Sequence, residues 1–187
     1  MASVRRMSFP EHARVEKAAF LLRRLPGALH RAVLTGRGHS WQVTIGARGV
    51  THDPREGDMA TPAACLRPVL VFYRTDRVSR PHTLLPVRAV GINDGWCDAP
   101  HHPAYNRFVQ HPFPVSAERL WREDRAYDLC VVLDFNVWPR AQARGSAIFL
   151  HLMHDDRRPT AGCIAMRREH LEALLGLLHP GQGIVVA

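Results

Sequence analysis

The stretch FLHLMHDDRRPTAGCIAM, residues 149–166, decides both the fold and the site that the sequence predicts. An apolar run ends at His151, a polar loop follows, and the chain returns through Gly162 to Cys163. These residue types allow three interpretations of Cys163: a buried core sulfur, a metal ligand beside His151 and His154, or a nucleophile. The rest of the sequence has to separate the three.

Apolar runs predict a chain that is mainly β. The runs SAIFLHLM (146–153) and YDLCVVLDFNV (127–137) are nearly continuous, which is typical of strands buried on both faces. Further strands are predicted from period-two or short apolar patterns at 41–45, 67–76 and 184–187.

Two helices complete the predicted α+β fold. Residues 11–25 carry apolar side chains at i, i+3, i+4 and i+7 and stop at LPG, so they predict an amphipathic helix. After Cys163, a stripe of leucines over 171–178 predicts a second helix. We therefore expect an N-terminal helical extension over 1–36 and a mainly β domain over 37–187.

The segment GINDGWCDAPHHPAYNRFVQHPFP (91–114) has no helical period and is dense in Gly, Pro, Asn, Asp and His. A long irregular segment inside a compact domain is typical of a binding loop. Trp96, Tyr105 and Asn106 are therefore candidates for shaping a substrate groove. The alternative for the two aromatic residues is that they pack the loop onto the core.

The charge and the N-terminus exclude some classes of partner. The formal charge of +8 comes almost wholly from arginine, because Lys17 is the only lysine. The arginines occur in scattered pairs such as Arg157–Arg158, without interleaved aromatic residues, so no nucleic-acid partner is predicted. The longest apolar stretch near the N-terminus is AAFLL (18–22), so neither a membrane span nor an export signal is predicted.

The four cysteines have no CxxC spacing, which argues against a zinc ribbon or a thioredoxin-like redox pair. Cys130 lies inside the apolar run DLCVVLDF and is interpreted as a small core residue. Cys65 and Cys97 can pair in an oxidising compartment, which the sequence alone does not establish.

A metal site on His151, His154 and Asp155 is disfavoured. On an extended segment, His-x-x-His directs the two rings to opposite faces, which suits one ion poorly. No metal or organic cofactor is therefore predicted.

The positions of His151 and Cys163 favour a nucleophile. A strand end and a loop return can bring the two side chains together, and a cysteine thiolate is stabilised beside an imidazole or at a helix N-terminus. Gly162 allows the backbone to approach a substrate closely, and N–H groups near it can face an oxyanion. His151 then serves as general base and general acid in acyl transfer through a thioester.

GSAIFLH (145–151) and PTAGCIAM (159–166), followed by a Leu-rich helix, resemble the L,D-transpeptidase (YkuD-type) catalytic domain. The resemblance covers about residues 37–187 and includes three more segments: REGDMATPAA (55–64), GWCDAPHHPAYNRFV (95–109) and LWREDRAYDLCVVLDFN (120–136). The chain departs from the wider family at Ala161, where that family has histidine, and at Ala165, where it has a polar residue.

The resemblance implies a YkuD-like β-sandwich or mixed-sheet fold, with Cys163 as nucleophile and His151 as its base. Thr160 and Gly162 match the positions that precede the cysteine. Substrate contacts are expected from the residues of the neighbouring segments: Thr160, Ser146, Trp96, Tyr105 and Asn106.

The implied substrates are peptidoglycan stem peptides, cross-linked in the 1,3 or otherwise the 3,3 arrangement, with no cofactor. The expected location is the periplasm or cell envelope. One alternative function is an L,D-carboxypeptidase or endopeptidase with water as acceptor. The other is a non-catalytic basic module that binds wall polymer or nucleic acid, in which Cys163 is only a core sulfur.

Overall fold

A computed structural model of the protein describes residues 19–187. Its elements, in chain order, are β1 (Phe20–Arg24), β2 (Arg31–Gly36), β3 (His39–Thr44), β4 (Val50–Thr51), β5 (Thr61–Pro62), β6 (Cys65–Leu66), β7 (Pro68–Tyr73), β8 (Val87–Ala89), β9 (Asp94–Cys97), β10 (Arg107–Gln110), β11 (Ala117–Arg119), β12 (Leu129–Leu133), β13 (Phe149–Leu152), β14 (Ile164–Met166), α1 (Arg168–Leu177) and β15 (Ile184–Val186). The predicted mainly β, α+β class is confirmed.

Ten of these strands form one mixed sheet in the order β6-β15-β1-β2-β3-β14-β13-β12-β7-β8. β9, β10 and β11 form a separate three-stranded sheet with β9 in the middle, and β4 pairs with β5. The strands predicted over 127–137, 146–153 and 184–187 correspond to β12, β13 and β15.

Alternation along the central strands divides the core between the two faces of the large sheet. Leu129, Val131 and Leu133 of β12 face the cluster that also contains the buried leucines of α1. Cys130 and Val132 face the opposite way, towards a second cluster that includes residues of the three-stranded sheet. The sheet therefore lies between α1 and the three-stranded sheet.

The helix predicted over 11–25 is wrong for residues 20–24, which form β1, and its first residues lie outside the described part of the chain. Phe20 and Leu22 are buried at a spacing of two, and β1 pairs with both β2 and β15. Because the same apolar residues satisfy either period over so short a stretch, pairing with two strands decides the outcome. The described part of the expected extension is thus built into the large sheet.

The prediction that 91–114 is a loop without regular structure is also wrong. β9 and β10 lie inside this segment and pair antiparallel, with Trp96 opposite Phe108. Every residue of β9 is buried, including Gly95, where an added Cβ would lie 2.6 Å from Nε2 of His111. A strand containing Gly and Asp gives no apolar pattern, which is why the sequence did not show it.

Candidate active site

The ends of β13 and β14 bring the two sequence-predicted reactive residues to one face of the large sheet. These strands are parallel, and His151 pairs with Ala165, two residues after Cys163. Because side chains alternate along a strand, His151, Ala165 and Cys163 point to the same side. Both His151 and Cys163 line a cavity of about 500 Å³ between the large sheet and the three-stranded sheet.

The Cys163 thiol is held as a neutral group in the resting structure. Its S–H donates to the carbonyl oxygen of Ala147 at 3.1 Å, and the Phe149 N–H donates to Sγ at 3.3 Å. Burial raises the pKa of Cys163 to about 12, and the negative charge of Glu118 adds to the effect. The thiol therefore carries its proton at neutral pH.

Cys163 does not lie at the start of a helix, contrary to the sequence-based expectation. β14 intervenes, and α1 begins only at Arg168. Since the field of a helix N-terminus is confined to its first turn, α1 does not lower the pKa of this thiol.

His151 is oriented as a neutral base. Its Nδ1 lies 2.9 Å from the carbonyl oxygen of Leu152, which can only accept, so Nδ1 carries the proton and Nε2 has the free lone pair. Burial lowers the pKa of His151 to about 4. The ring of Tyr127 packs edge-on against the imidazole, with centroids 5.3 Å apart and planes at 76°. The imidazole is thus held in place and uncharged at neutral pH.

Because the Cys163 thiol and the His151 imidazole are both neutral, the reactivity of the thiol should depend on pH in a specific way. Because the pKa of Cys163 is about 12, its alkylation by iodoacetamide is expected to rise about tenfold per pH unit from pH 7 to pH 10. Peptide mapping follows Cys163 separately and uses the exposed Cys65 as internal reference. A rate at Cys163 that is already at a plateau near pH 7 would show a thiolate–imidazolium pair and contradict this assignment.

The turn before Cys163 is fixed by hydrogen bonds of its own residues. Thr160 Oγ1 donates to the Cys163 carbonyl at 2.6 Å and accepts from the Gly162 N–H at 3.2 Å. The Gly162 carbonyl accepts from Thr61 Oγ1 at 2.8 Å. Thr160 lines the cavity, but its hydroxyl shapes the turn, and the Gly162 N–H, expected to face an oxyanion, is engaged by it in this structure.

Asn106 holds in place the segment whose Ala147 carbonyl accepts the hydrogen bond from the Cys163 thiol. Its Oδ1 accepts from Trp96 Nε1 at 2.8 Å and from the Ala147 N–H at 3.0 Å, and its Nδ2 donates to two carbonyls of the turn at 135–136. Ala147 has a φ of 51°, which a non-glycine residue adopts only when its surroundings hold it there. Asn106 therefore positions the carbonyl to which Cys163 donates.

The three residues predicted to shape a substrate groove are buried behind the cavity. Trp96, Tyr105 and Asn106 are 1%, 0% and 1% exposed and do not line the cavity. Trp96 packs edge-on against Phe149, with centroids 5.4 Å apart. All three side chains therefore pack into the core behind the cavity and support it from there, and the substrate contacts expected of them stay predictions.

Ser146 does line the cavity, and it does so together with a residue that the sequence did not indicate. Its Oγ donates to Oε2 of Glu56 at 2.8 Å, and the Tyr105 hydroxyl donates to the same oxygen. Burial, and after it this bond, raise the pKa of Tyr105 well above its usual range. Glu56 thus links the 55–64 turn to the segment that leads into β13.

Other cavity residues were missed because no local pattern marks them. Glu118, Arg122 and Tyr127 line the cavity from β11 and the segment that follows it. The Tyr127 hydroxyl donates to Glu118 Oε1 at 2.6 Å. The sequence offers one signal for these cavity residues: Tyr127 begins the apolar run YDLCVV, which leads into β12.

The remaining residues of the initial stretch form a surface loop. His154 contacts the guanidinium of Arg158 at 3.0 Å, and within residues 19–187 no three His, Cys, Asp or Glu side chains are placed to hold a metal ion. All four cysteines are free, and Cys65 and Cys97 lie in different sheets, so the disulfide considered for them is not formed. No helix in the described region is long and apolar enough to cross a bilayer.

Comparison with known proteins gives one match. A model of the L,D-transpeptidase catalytic domain family, YkuD, matches residues 27–186. No curated protein and no solved structure matches the chain. The matched range contains β13, which carries His151, and Cys163 with the β14 strand that follows it, and it begins before the 37–187 boundary expected from the sequence.

Proposed function

Because the chain belongs to the L,D-transpeptidase (YkuD) catalytic domain family, we propose that it is a cysteine acyltransferase that cross-links peptidoglycan stem peptides. One observation carries the proposal: the Cys163 thiol and a neutral His151 open onto the same cavity, and the lone pair on Nε2 of His151 is free. Membership of the family supplies the substrate class. The site supplies a nucleophile and a base.

The chemistry follows from the two neutral groups. As Sγ attacks the carbonyl of an L-centre to D-centre peptide bond, the thiol proton passes to Nε2 of His151. The imidazolium then protonates the departing amine, the C–N bond breaks, and a thioester on Cys163 remains. An acceptor amine attacks that thioester, its proton leaves through His151, and Sγ recovers a proton as the new amide forms.

Burial of the pair serves this sequence of steps. A neutral thiol and a neutral imidazole cost less to hold in a water-poor site than an ion pair. Charge then appears only when substrate arrives and supplies groups that stabilise it. The wider family's histidine at position 161 is absent here, so no second imidazole is available from the turn.

We further propose that the protein acts in the periplasm or cell envelope, where cross-linked peptidoglycan lies. The proposed product is a 1,3 cross-link to the first residue of an acceptor stem, with the 3,3 arrangement as the alternative. Trimming by water is the other fate of the same thioester, since water and an amine compete for it.

Purified protein incubated with sacculi, followed by muropeptide analysis, tests the function. Cross-linked dimers are expected with the wild type and not with Cys163→Ala, whose fold is checked by circular dichroism. Release of terminal residues without any dimers would make the protein a carboxypeptidase or endopeptidase. No change in any muropeptide would favour a non-catalytic binding module.

A further inference from the structure

Glu118 lines the cavity, and only one of its two carboxylate oxygens is hydrogen-bonded to a described residue. It lies on β11, an edge strand of the three-stranded sheet, and its side chain is 27% exposed. Oε1 accepts from the Tyr127 hydroxyl at 2.6 Å and from Nη1 of Arg122 at 3.3 Å. Oε2 has no hydrogen bond to any described residue, so it is available to a ligand in the cavity.

The neighbouring groups leave this wall of the cavity negative. Arg122 directs its other two nitrogens to Asp124, at 2.9 and 2.5 Å, so most of its charge is already matched. Asp98 lines the same cavity, and no residue in the 19–187 range donates a hydrogen bond to its Oδ1. Burial raises the pKa of Glu118, and the nearby charge of Asp98 adds to the effect, so the two carboxyl groups lie near each other on this wall.

Two further arginines line the cavity, but their guanidinium groups are directed away from the Glu118 carboxylate. Arg119 follows Glu118 along β11, so alternation directs its side chain to the other face, and its charge acts on His111. Arg158 lies across the cavity in the 154–162 loop and contacts His154.

The position of Glu118 relative to the two reactive residues identifies the substrate group that it faces. Its Tyr127 partner packs against the His151 ring, and its own charge acts on the Cys163 thiol, so Glu118 lies near both reactive residues. An amine that resolves a thioester on Cys163 must give up a proton to His151. It therefore has to enter the cavity within reach of both residues, in the neighbourhood of the free Oε2 of Glu118.

We propose that Glu118, with Asp98 beside it, is the specificity-determining residue that binds the ammonium group of the acceptor before it attacks the thioester. This inference rests on the proposed acyl transfer. The acceptor binds as R–NH3⁺, releases one proton to water, and attacks as R–NH2. The new C–N bond forms as the C–S bond breaks, and the second proton passes through His151 to Sγ.

The partition of one acyl-enzyme between two acceptors tests the proposal. A disaccharide tetrapeptide serves as donor and D-methionine as the amine, and mass spectrometry counts transfer and hydrolysis products from the same thioester. Glu118→Gln removes the charge, while the Gln carbonyl can still accept from Tyr127 and Arg122. We expect the ratio of transfer to hydrolysis to fall at least about tenfold, because a charge-assisted hydrogen bond is lost.

Acylation by a carbapenem, which needs no amine acceptor, separates this effect from a general loss of reactivity. Glu118→Gln is expected to acylate at least as fast as the wild type, because the Glu118 charge raises the pKa of the Cys163 thiol. Glu123→Gln is the matched control: it removes the same charge from a side chain that is 87% exposed and outside the cavity, and should leave the ratio unchanged.

Three results would overturn the inference. An unchanged partition ratio in Glu118→Gln means that no ammonium is bound there. Equal losses in transfer, hydrolysis and carbapenem acylation mean that Glu118 supports the nucleophile or the donor. If the wild type is never acylated, the proposed function is wrong, and the ammonium site that rests on it is wrong as well.

Discussion

Replacing His151 by glutamine is expected to slow acylation of Cys163 by about a hundredfold to ten-thousandfold, the usual contribution of a positioned general base. The resting thiol has a pKa of about 12, so almost none of it is ionised at pH 7, and attack depends on a base that removes the proton. Glutamine approximates the size of the imidazole and its amide can still donate to the Leu152 carbonyl. It offers no basic nitrogen. The rate of carbapenem adduct formation at pH 7 measures the effect.

Alkylation by iodoacetamide at pH 10 is the control for this variant. At that pH the ionised fraction of a thiol with a pKa of about 12 is about a thousandfold larger than at pH 7 and forms without a protein base, so the wild type and His151→Gln should react at similar rates at Cys163. Loss of reactivity at both pH values would mean that the substitution disturbs the cavity. If the acylation rate of His151→Gln at pH 7 equals that of the wild type, His151 is not the base that activates Cys163.

Gly162→Ala is expected to destabilise the fold by about 2–5 kcal/mol, from backbone strain and overpacking together. The φ of Gly162 is 142°, a region closed to side chains, and an added Cβ would lie 2.9 Å from the carbonyl oxygen of Ala60. That oxygen belongs to backbone, so relief requires the turn to move and with it Cys163. Urea denaturation measures the change, and carbapenem acylation should fall as well.

Gly176→Ala is the matched control for the stability measurement. Gly176 lies in α1, no atom of the described residues lies within 4 Å of an added Cβ, and alanine favours a helix over glycine by about 0.5–1 kcal/mol. The two substitutions should therefore shift stability in opposite directions. If Gly162→Ala is as stable as the wild type, the turn is not held in the geometry described.

The sequence predicts the centre of this molecule better than its edges. β12 and β13 are buried on both faces, so their apolar runs are continuous and need no partner to be recognised. His151 and Cys163 lie at the ends of such a strand and its neighbour, which is why their proximity follows from local pattern. The roles assigned to both residues remain predictions until they are tested.

β1 and β9 show where local pattern fails. Phe20 and Leu22 fit a helix or a strand equally well, and the pairing of β1 with β15, at the far end of the chain, selects the strand. β9 contains Asp94 and Gly95, yet is buried because β10 and β11 cover both its edges. Long-range pairing of this kind leaves no trace within a short window of sequence.

Glu118 reaches the cavity for the same reason. It is 45 residues away from Cys163 in the chain, and it is brought there by the three-stranded sheet and held by Tyr127. The electrostatic state of the thiol was also beyond the sequence, because it depends on β14 separating Cys163 from α1. Burial, not a helix field, then sets the pKa values of both reactive groups.

Intact-mass spectrometry of the protein after incubation with a carbapenem tests the central claim most directly, since it asks whether Cys163 is a nucleophile. We predict one covalent adduct on the wild type, mapped by peptide digestion to Cys163, and no adduct on Cys163→Ala. The exposed Cys65 provides a comparison, because simple thiol exposure would direct the adduct there. A folded wild type that gains no adduct, or an adduct that persists in Cys163→Ala, would contradict the account.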